Sequence, residues 1–149
     1  MRVRRATIDD AAAIHDVLQR CGTEGTLAPT EPTLADIERF LRSESAGAFI
    51  VARDGRDAGV AMFDRQGDVL WLFRLGVVPD SRQRGVGRML VDAVEAGARG
   101  AGASAVFVQL PKALEARAFF EVLGYHADTE EPDVVAGRPV TLVDLVKLV

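Results

Sequence analysis

Cysteine is almost missing from this sequence, and the single one, Cys21, excludes a disulfide within the chain. With it goes any reading as a small secreted scaffold held by cross-links. As a nucleophile Cys21 would need a base beside it, and the only histidines, His15 and His126, stand in no recognisable nucleophile motif. It falls on the apolar stripe of an expected helix, where a free cysteine behaves as a small buried hydrophobe. Long apolar runs are missing too. None approaches the ~18 residues that a membrane-crossing helix needs, so no membrane partner is expected. The basic start, Met1 to Arg5, runs into Ile8-Asp9-Asp10 without a signal peptide's apolar core; a cytoplasmic location is expected. An excess of positive charge is also lacking. Lys and Arg number 18 against 22 Asp and Glu, a formal net charge of −4, which disfavours nucleic acid as a partner because phosphate neutralisation needs a basic surface.

What is present suits one domain over residues 1–149: 48% of the residues are hydrophobic, enough for an ordinary core. Arg2 to Ala6 reads as a short strand. Thr7 and Asp10 then resemble a capping box, and Ile14, Val17, Leu18 and Cys21 recur at helical spacing, with His15 off that stripe. Gly22 to Pro32 reads as a loop. Thr33 and Asp36 start a second helix that carries Leu34, Ile37, Phe40 and Leu41 on one face. Strands are expected at Ala48 to Arg53 and Ala58 to Phe63, then at Val69 to Val78, which is apolar on both faces except for Arg74 and therefore expected to be covered on both. Gly76 inside it suggests a bulge or a close approach. Gly85 to Arg99 reads as a helix with Val86, Leu90, Ala93, Val94 and Gly97 inward and Arg88, Asp92, Glu95 and Arg99 outward. Ser104 to Leu110 is a second buried strand, Lys112 to Leu123 the last helix with Gly124 as its C-terminal cap, and Tyr125 to Asp128 and Val140 to Leu148 the final strands. The acidic segment Glu130-Glu131-Pro132-Asp133 is expected as a solvated loop between them. Strand 69–78, helix and strand 104–110 form a parallel, right-handed βαβ unit.

The connection Arg82-Gln83-Arg84-Gly85-Val86-Gly87-Arg88 is the clearest candidate site. Glycines at a helix start let backbone N–H groups converge and let a ligand come close. Those N–H groups have no partner inside the helix, and the helix dipole adds positive charge there. Three arginines at the same end oppose the dipole in the empty protein, and a bound anion reverses that sign; phosphate is the usual guest. A glycine-rich turn with solvated arginines is the bland alternative. A Walker loop is absent, and the dinucleotide fingerprint fails because Leu90 stands where its third glycine belongs.

Leu75-Gly76-Val77-Val78-Pro79 followed by Arg82-Gln83-Arg84-Gly85-Val86-Gly87 resembles the signature of the GNAT superfamily of N-acetyltransferases. The downstream run Glu115 to Tyr125, ending in Leu123-Gly124-Tyr125, resembles that family's second motif. The resemblance implies a single-domain α/β GNAT-like fold: a mixed, mostly antiparallel twisted sheet with a central parallel βαβ unit and splayed central strands. It implies acetyl-CoA as cosubstrate and no metal. The pantetheine arm would lie along Leu75, Gly76 and Val77, and the pyrophosphate on residues 82–88. Direct acetyl transfer to a primary amine through a tetrahedral intermediate would follow. Three positions depart from the family. Ala113 stands where asparagine is frequent, Phe120 where a tyrosine often protonates the leaving thiolate, and the 69–75 strand offers Arg74 in place of a glutamate base. No catalytic residue is therefore carried over. Tyr125 is a conceivable substitute acid or a packing residue, and Arg74 either a salt-bridge partner or a substrate contact. A non-catalytic acyl-CoA-binding module or sensor is the alternative function. Assembly is expected to be monomeric or homodimeric, with the apolar stretch Val140 to Val149 a hazard if it forms an open edge.

Overall fold

The computed structural model describes residues 1–21, 31–112, 116–135 and 137–149. The chain runs β1 (Arg2–Arg5), α1 (Ala11–Cys21), α2 (Leu34–Arg42), β2 (Ala46–Arg53), β3 (Arg56–Gln66), β4 (Val69–Val77), α3 (Val86–Gly100), β5 (Ala105–Pro111), α4 (Ala116–Val122), β6 (His126–Val135) and β7 (Arg138–Leu148). Short 3₁₀ turns at Ile8–Asp10 and Pro79–Ser81 precede α1 and α3. The seven strands form one sheet in the order β1-β2-β3-β4-β5-β7-β6. All neighbours are antiparallel except β4 and β5.

Local chemistry explains most boundaries. Thr33 caps α2 through a reciprocal box: its hydroxyl accepts from the Asp36 N–H at 3.1 Å, and its own N–H donates to the Asp36 carboxylate at 3.0 Å. Asp54 and Gly55 both take positive φ, 55° and 77°, the two-residue hairpin turn that matches strand twist. At the end of α4, Gly124 with φ 98° lets the Tyr125 N–H reach back to the Phe120 carbonyl and its own N–H reach Glu121.

Two apolar layers sandwich the sheet. On one face Leu90, Val91 and Val94 of α3 and Phe120 of α4 meet Phe63, Leu72, Val106 and Val108. On the other, Ile14, Val17 and Leu18 of α1 and Ile37 of α2 meet Ile50, Val60 and Met62. Cys21 lies buried in that second layer, and burial pushes its thiol up, consistent with a packing role.

The structure corrects four expectations. Glu95 faces inward, only 3% exposed, because the partners described below reach it. The acidic segment 130–133 is part of β6; as an edge strand β6 needs no inward N–H from Pro132, and its charges guard the edge. Val140 to Val149 is not an edge, since β7 pairs with β5 on one side and β6 on the other. Nor is β4 covered throughout: Phe73 is 42% exposed, because it is an extra residue opposite the Met62/Phe63 step and leaves the alternation. Of the bulge or close approach suggested at Gly76, the bulge falls three residues earlier. The expected loop Gly22 to Pro32 lies outside the described residues up to Thr30, as does Ala113.

Candidate active site

The central feature is where β4 and β5 part company. They pair in parallel from Val69↔Ala105 to Leu72↔Val108 and no further. Both strands continue, β4 to Val77 along β3 and β5 to Pro111 along β7. A stretch of β4 from Phe73 to Val77 is left without its β5 neighbour, so its backbone can serve as a strand partner for an extended ligand arm. Leu75, Gly76 and Val77 lie on that stretch.

At its far end the chain enters the 82–88 loop. Gln83 has φ 59° and Gly85, the N-cap of α3, φ 87°. The first helical bond runs from the Met89 N–H to the Gly85 carbonyl at 3.0 Å, which leaves the N–H groups of Val86, Gly87 and Arg88 without helical acceptors. A Cβ placed on Gly85 would meet only the terminal methyl of Met1, at 3.6 Å, so space beside these amides is open. A Cβ on Gly87 would lie 3.3 Å from the Phe119 ring and 3.8 Å from Val77, within the gap between α4 and β4. The three arginines divide. Arg82 turns back into the protein, donating to the Val77 carbonyl at 3.1 Å and to the Cys21 carbonyl at 3.2 Å. Arg84 and Arg88 are exposed and join no ion pair among the described residues. Free amides, an open approach and two uncommitted guanidinium groups fit a pyrophosphate.

Gly59 on β3 was not singled out by the sequence and positions this loop. A Cβ there would stand 2.6 Å from Val86 Cγ1 and 3.2 Å from the Gly76 carbonyl. The close approach inferred for Gly76 is made through its neighbour strand: only a glycine lets the first turn of α3 settle on the sheet.

On the opposite face, at the point where β4 and β5 separate, a cavity of about 380 Å³ is lined by Phe40, Met62, Asp64, Phe73 and Arg74. Phe40 meets Phe73 edge-on, centroids 6.3 Å apart. Among the described residues Arg74 makes no salt bridge, and its buried Nη1 has no hydrogen-bond partner. Burial lowers its pKa, and the charges of Asp36 and Glu31 partly offset that. Asp64 Oδ1 is buried and unpartnered in the same way. An unmade bond at a buried polar atom costs on the order of 1–3 kcal/mol, and two of opposite polarity share one cavity wall. Asp64 lies one residue past Phe63, where the sequence pattern ends the strand, while β3 runs on to Gln66; two-residue alternation from Met62 is the signal that places it on Arg74's face.

Tyr125 is elsewhere. Its hydroxyl donates to the buried Glu95 at 3.0 Å, and Lys147 donates to the same carboxylate at 2.9 Å. Burial, then the Glu95 charge, push the phenol pKa far above its ordinary value. Phe120 is 0% exposed, edge-on to both Phe119 and Tyr125. Trp71 packs against Phe107 across β4 and β5, rings tilted by 32° with centroids 5.0 Å apart. His126 is exposed at the start of β6 and His15 half-buried on α1; neither lines the cavity.

Comparison with known proteins points the same way. The Acetyltransferase (GNAT) family profile matches residues 11–125. The amino-acid acetyltransferase of Ralstonia nicotianae is 32% identical over 109 residues, 71% of this chain, and this chain spans only 23% of that relative's length. The crystal structure of ribosomal-protein-S18-alanine N-acetyltransferase from Escherichia coli has a TM-score of 0.84 at 17% identity, covering 99% of this chain and 92% of that one. The structure of yncA from Salmonella typhimurium with its cofactor acetyl-CoA has a TM-score of 0.79 at 19% identity, covering 99% and 93%. At these identities the two structural likenesses establish the fold.

Proposed function

We propose, from the premise that this chain belongs to the GNAT acetyltransferase family, that it transfers an acetyl group from acetyl-CoA to a primary amine. The observation that carries this reading is the parting of β4 from β5 beyond Leu72↔Val108, with the free amides of α3 at one end of the gap and the Arg74 cavity at the other. From Val77 back to Phe73 is a rise of roughly 13 Å at strand geometry, so an extended arm anchored by its pyrophosphate on residues 83–88 delivers its thioester near Phe73 and Arg74.

Positioning supplies most of the rate. The acceptor amine attacks the thioester carbonyl, the N–C bond forms, and the tetrahedral intermediate collapses with cleavage of the C–S bond. β4 offers no carboxylate, and Asp64 on β3 is the carboxylate of the cavity; it takes the amine proton directly or through one water. The leaving thiolate belongs to a thiol whose pKa lies near ~8.5, so it departs without an obligatory acid, and solvent protonates it. Phe120 therefore slows the reaction without abolishing it, since general acid catalysis contributes ~10²–10⁴-fold.

The test is thiol release from acetyl-CoA over a panel of amines. Turnover with at least one amine supports the reading. Tight acetyl-CoA binding with no thiol release for any amine would support the other reading, a non-catalytic acyl-CoA sensor, for which Phe120 in place of a phenol is the motive.

A further inference from the structure

The Arg74 cavity carries more than a generic amine site. Its walls are apolar on three sides, Phe40 from α2, Met62 from β3 and the bulged Phe73 from β4. Its two charged members have opposite signs, stand on adjacent strands, and are not paired with each other. Met62 lies opposite Arg74 and Asp64 opposite Trp71. Asp64 and Arg74 are therefore diagonal neighbours on one face, at the spacing of cross-strand diagonals of ~7–8 Å between backbones. Each has a buried polar atom with no partner among the described residues. Asp36 and Glu31 are the charges that act on Arg74, and Asp36 is held by its cap bonds to Thr33 and its pair with Arg39.

A monopolar amine satisfies only one of these two groups. With its ammonium on Asp64, half-buried Arg74 keeps a buried Nη1 with no acceptor and no anion beside it. A peptide N-terminus has the same defect, because the carbon next to its amine carries an amide. A molecule with both an amine and a carboxylate on one carbon satisfies both, with a planar carboxylate suited to the guanidinium fork. We infer that the acceptor is a free amino acid with an apolar side chain, its nitrogen on Asp64, its carboxylate on Arg74 and its side chain among Phe40, Met62 and Phe73. The inference rests on the acetyltransferase reading and names its substrate class. The ammonium form loses two protons; one leaves by way of Asp64 to solvent, and the other ends on the thiol. The products are the N-acetyl amino acid and free coenzyme A.

The experiment compares matched acceptors: leucine, leucinamide and 3-methylbutylamine, and the corresponding phenylalanine set, with thiol release as readout. The native protein should favour each acid over its decarboxylated and amidated partners by roughly 100-fold in kcat/KM, as expected when a buried charge loses its partner. Arg74→Met keeps the aliphatic volume; it should raise KM for leucine and, by removing the charge that a monopolar amine leaves unsatisfied, lower KM for 3-methylbutylamine, so that the preference collapses. Asp64→Asn should depress all acceptors. Equal losses for acid and amine in Arg74→Met, or a native preference for the amines, would overturn the assignment. Calorimetric titration of leucine separates this claim from the one beneath it. Leucine binding that disappears in Arg74→Met supports the site even where no amine is turned over, whereas turnover of amines without leucine binding keeps the acetyltransferase and removes the amino acid.

Discussion

Tyr125 is the chain's only tyrosine, and its hydroxyl is aimed at Glu95 rather than at the cleft between β4 and β5. Tyr125→Phe should therefore leave single-turnover acetyl transfer unchanged while lowering stability in urea by about 1.5–3 kcal/mol, the range for a hydrogen bond to a charged group. A fall of ~10²-fold in the chemical step at unchanged acetyl-CoA affinity would instead place the general acid there. The sign of the pH effect follows from the raised phenol pKa. The stabilisation is complete below the ordinary phenol pKa of ~10 and is lost as pH rises beyond it, because the unfolded chain then binds fewer protons than the folded one. Phenolate absorbance reports this one group, and it should appear together with unfolding. Phe120→Tyr places a hydroxyl in a site with no exposure; it should cost about 1–3 kcal/mol by the same urea measurement, the penalty of an unpaired buried hydroxyl.

The start of α3 depends on three glycines for three different reasons. Gly85 needs its left-handed φ of 87° but has space around it, so Gly85→Ala should cost only the backbone strain of ~1–2 kcal/mol. Gly87 needs the gap: Gly87→Val fills the space between Val77 and Phe119 and should weaken acetyl-CoA binding at least ~10-fold in calorimetry, since the phosphate site requires close backbone approach. Undiminished affinity would remove the pyrophosphate from this loop. Gly59 acts from the neighbouring strand. Gly59→Ala drives a methyl into Val86, a stiff, buried side chain, and should destabilise by about 1–3 kcal/mol while also loosening the ligand amides.

Over the whole molecule, the two open edges of the sheet have opposite character. β1 carries Arg2, Arg4 and Arg5; β6 carries Asp128 at its bulge and Glu130, Glu131 and Asp133. Two copies meeting edge to edge by a twofold axis would set arginine against arginine or carboxylate against carboxylate, which is unfavourable for directly opposed strands. Sedimentation at ordinary ionic strength should find a monomer with respect to both edges. A dimer that persists in Arg4→Glu and Asp133→Lys would have to use another surface. Among the described residues no helix is long and apolar enough to cross a membrane.

What the sequence determined by itself is local and periodic. The stripe Ile14, Val17, Leu18 and Cys21 specified α1, the Thr33/Asp36 box specified the start of α2, Gly124 closed α4, and the strand–glycine loop–helix order specified the parallel pair β4 and β5. Each depends on neighbours within a few residues or on a fixed handedness, so each is readable along the chain. What the tertiary structure decided is everything set by residues far apart in sequence. Glu95 is inward because Tyr125 and Lys147, 30 and 52 residues later, bring a hydroxyl and an ammonium to it. The acidic run 130–133 is a strand because β7 supplies its ladder. Phe73 leaves the core, and Arg74 lines one cavity with Asp64, because the register between β3 and β4 slips by one residue. Periodicity reports which face a residue prefers; only pairing across strands fixes which charges share a pocket.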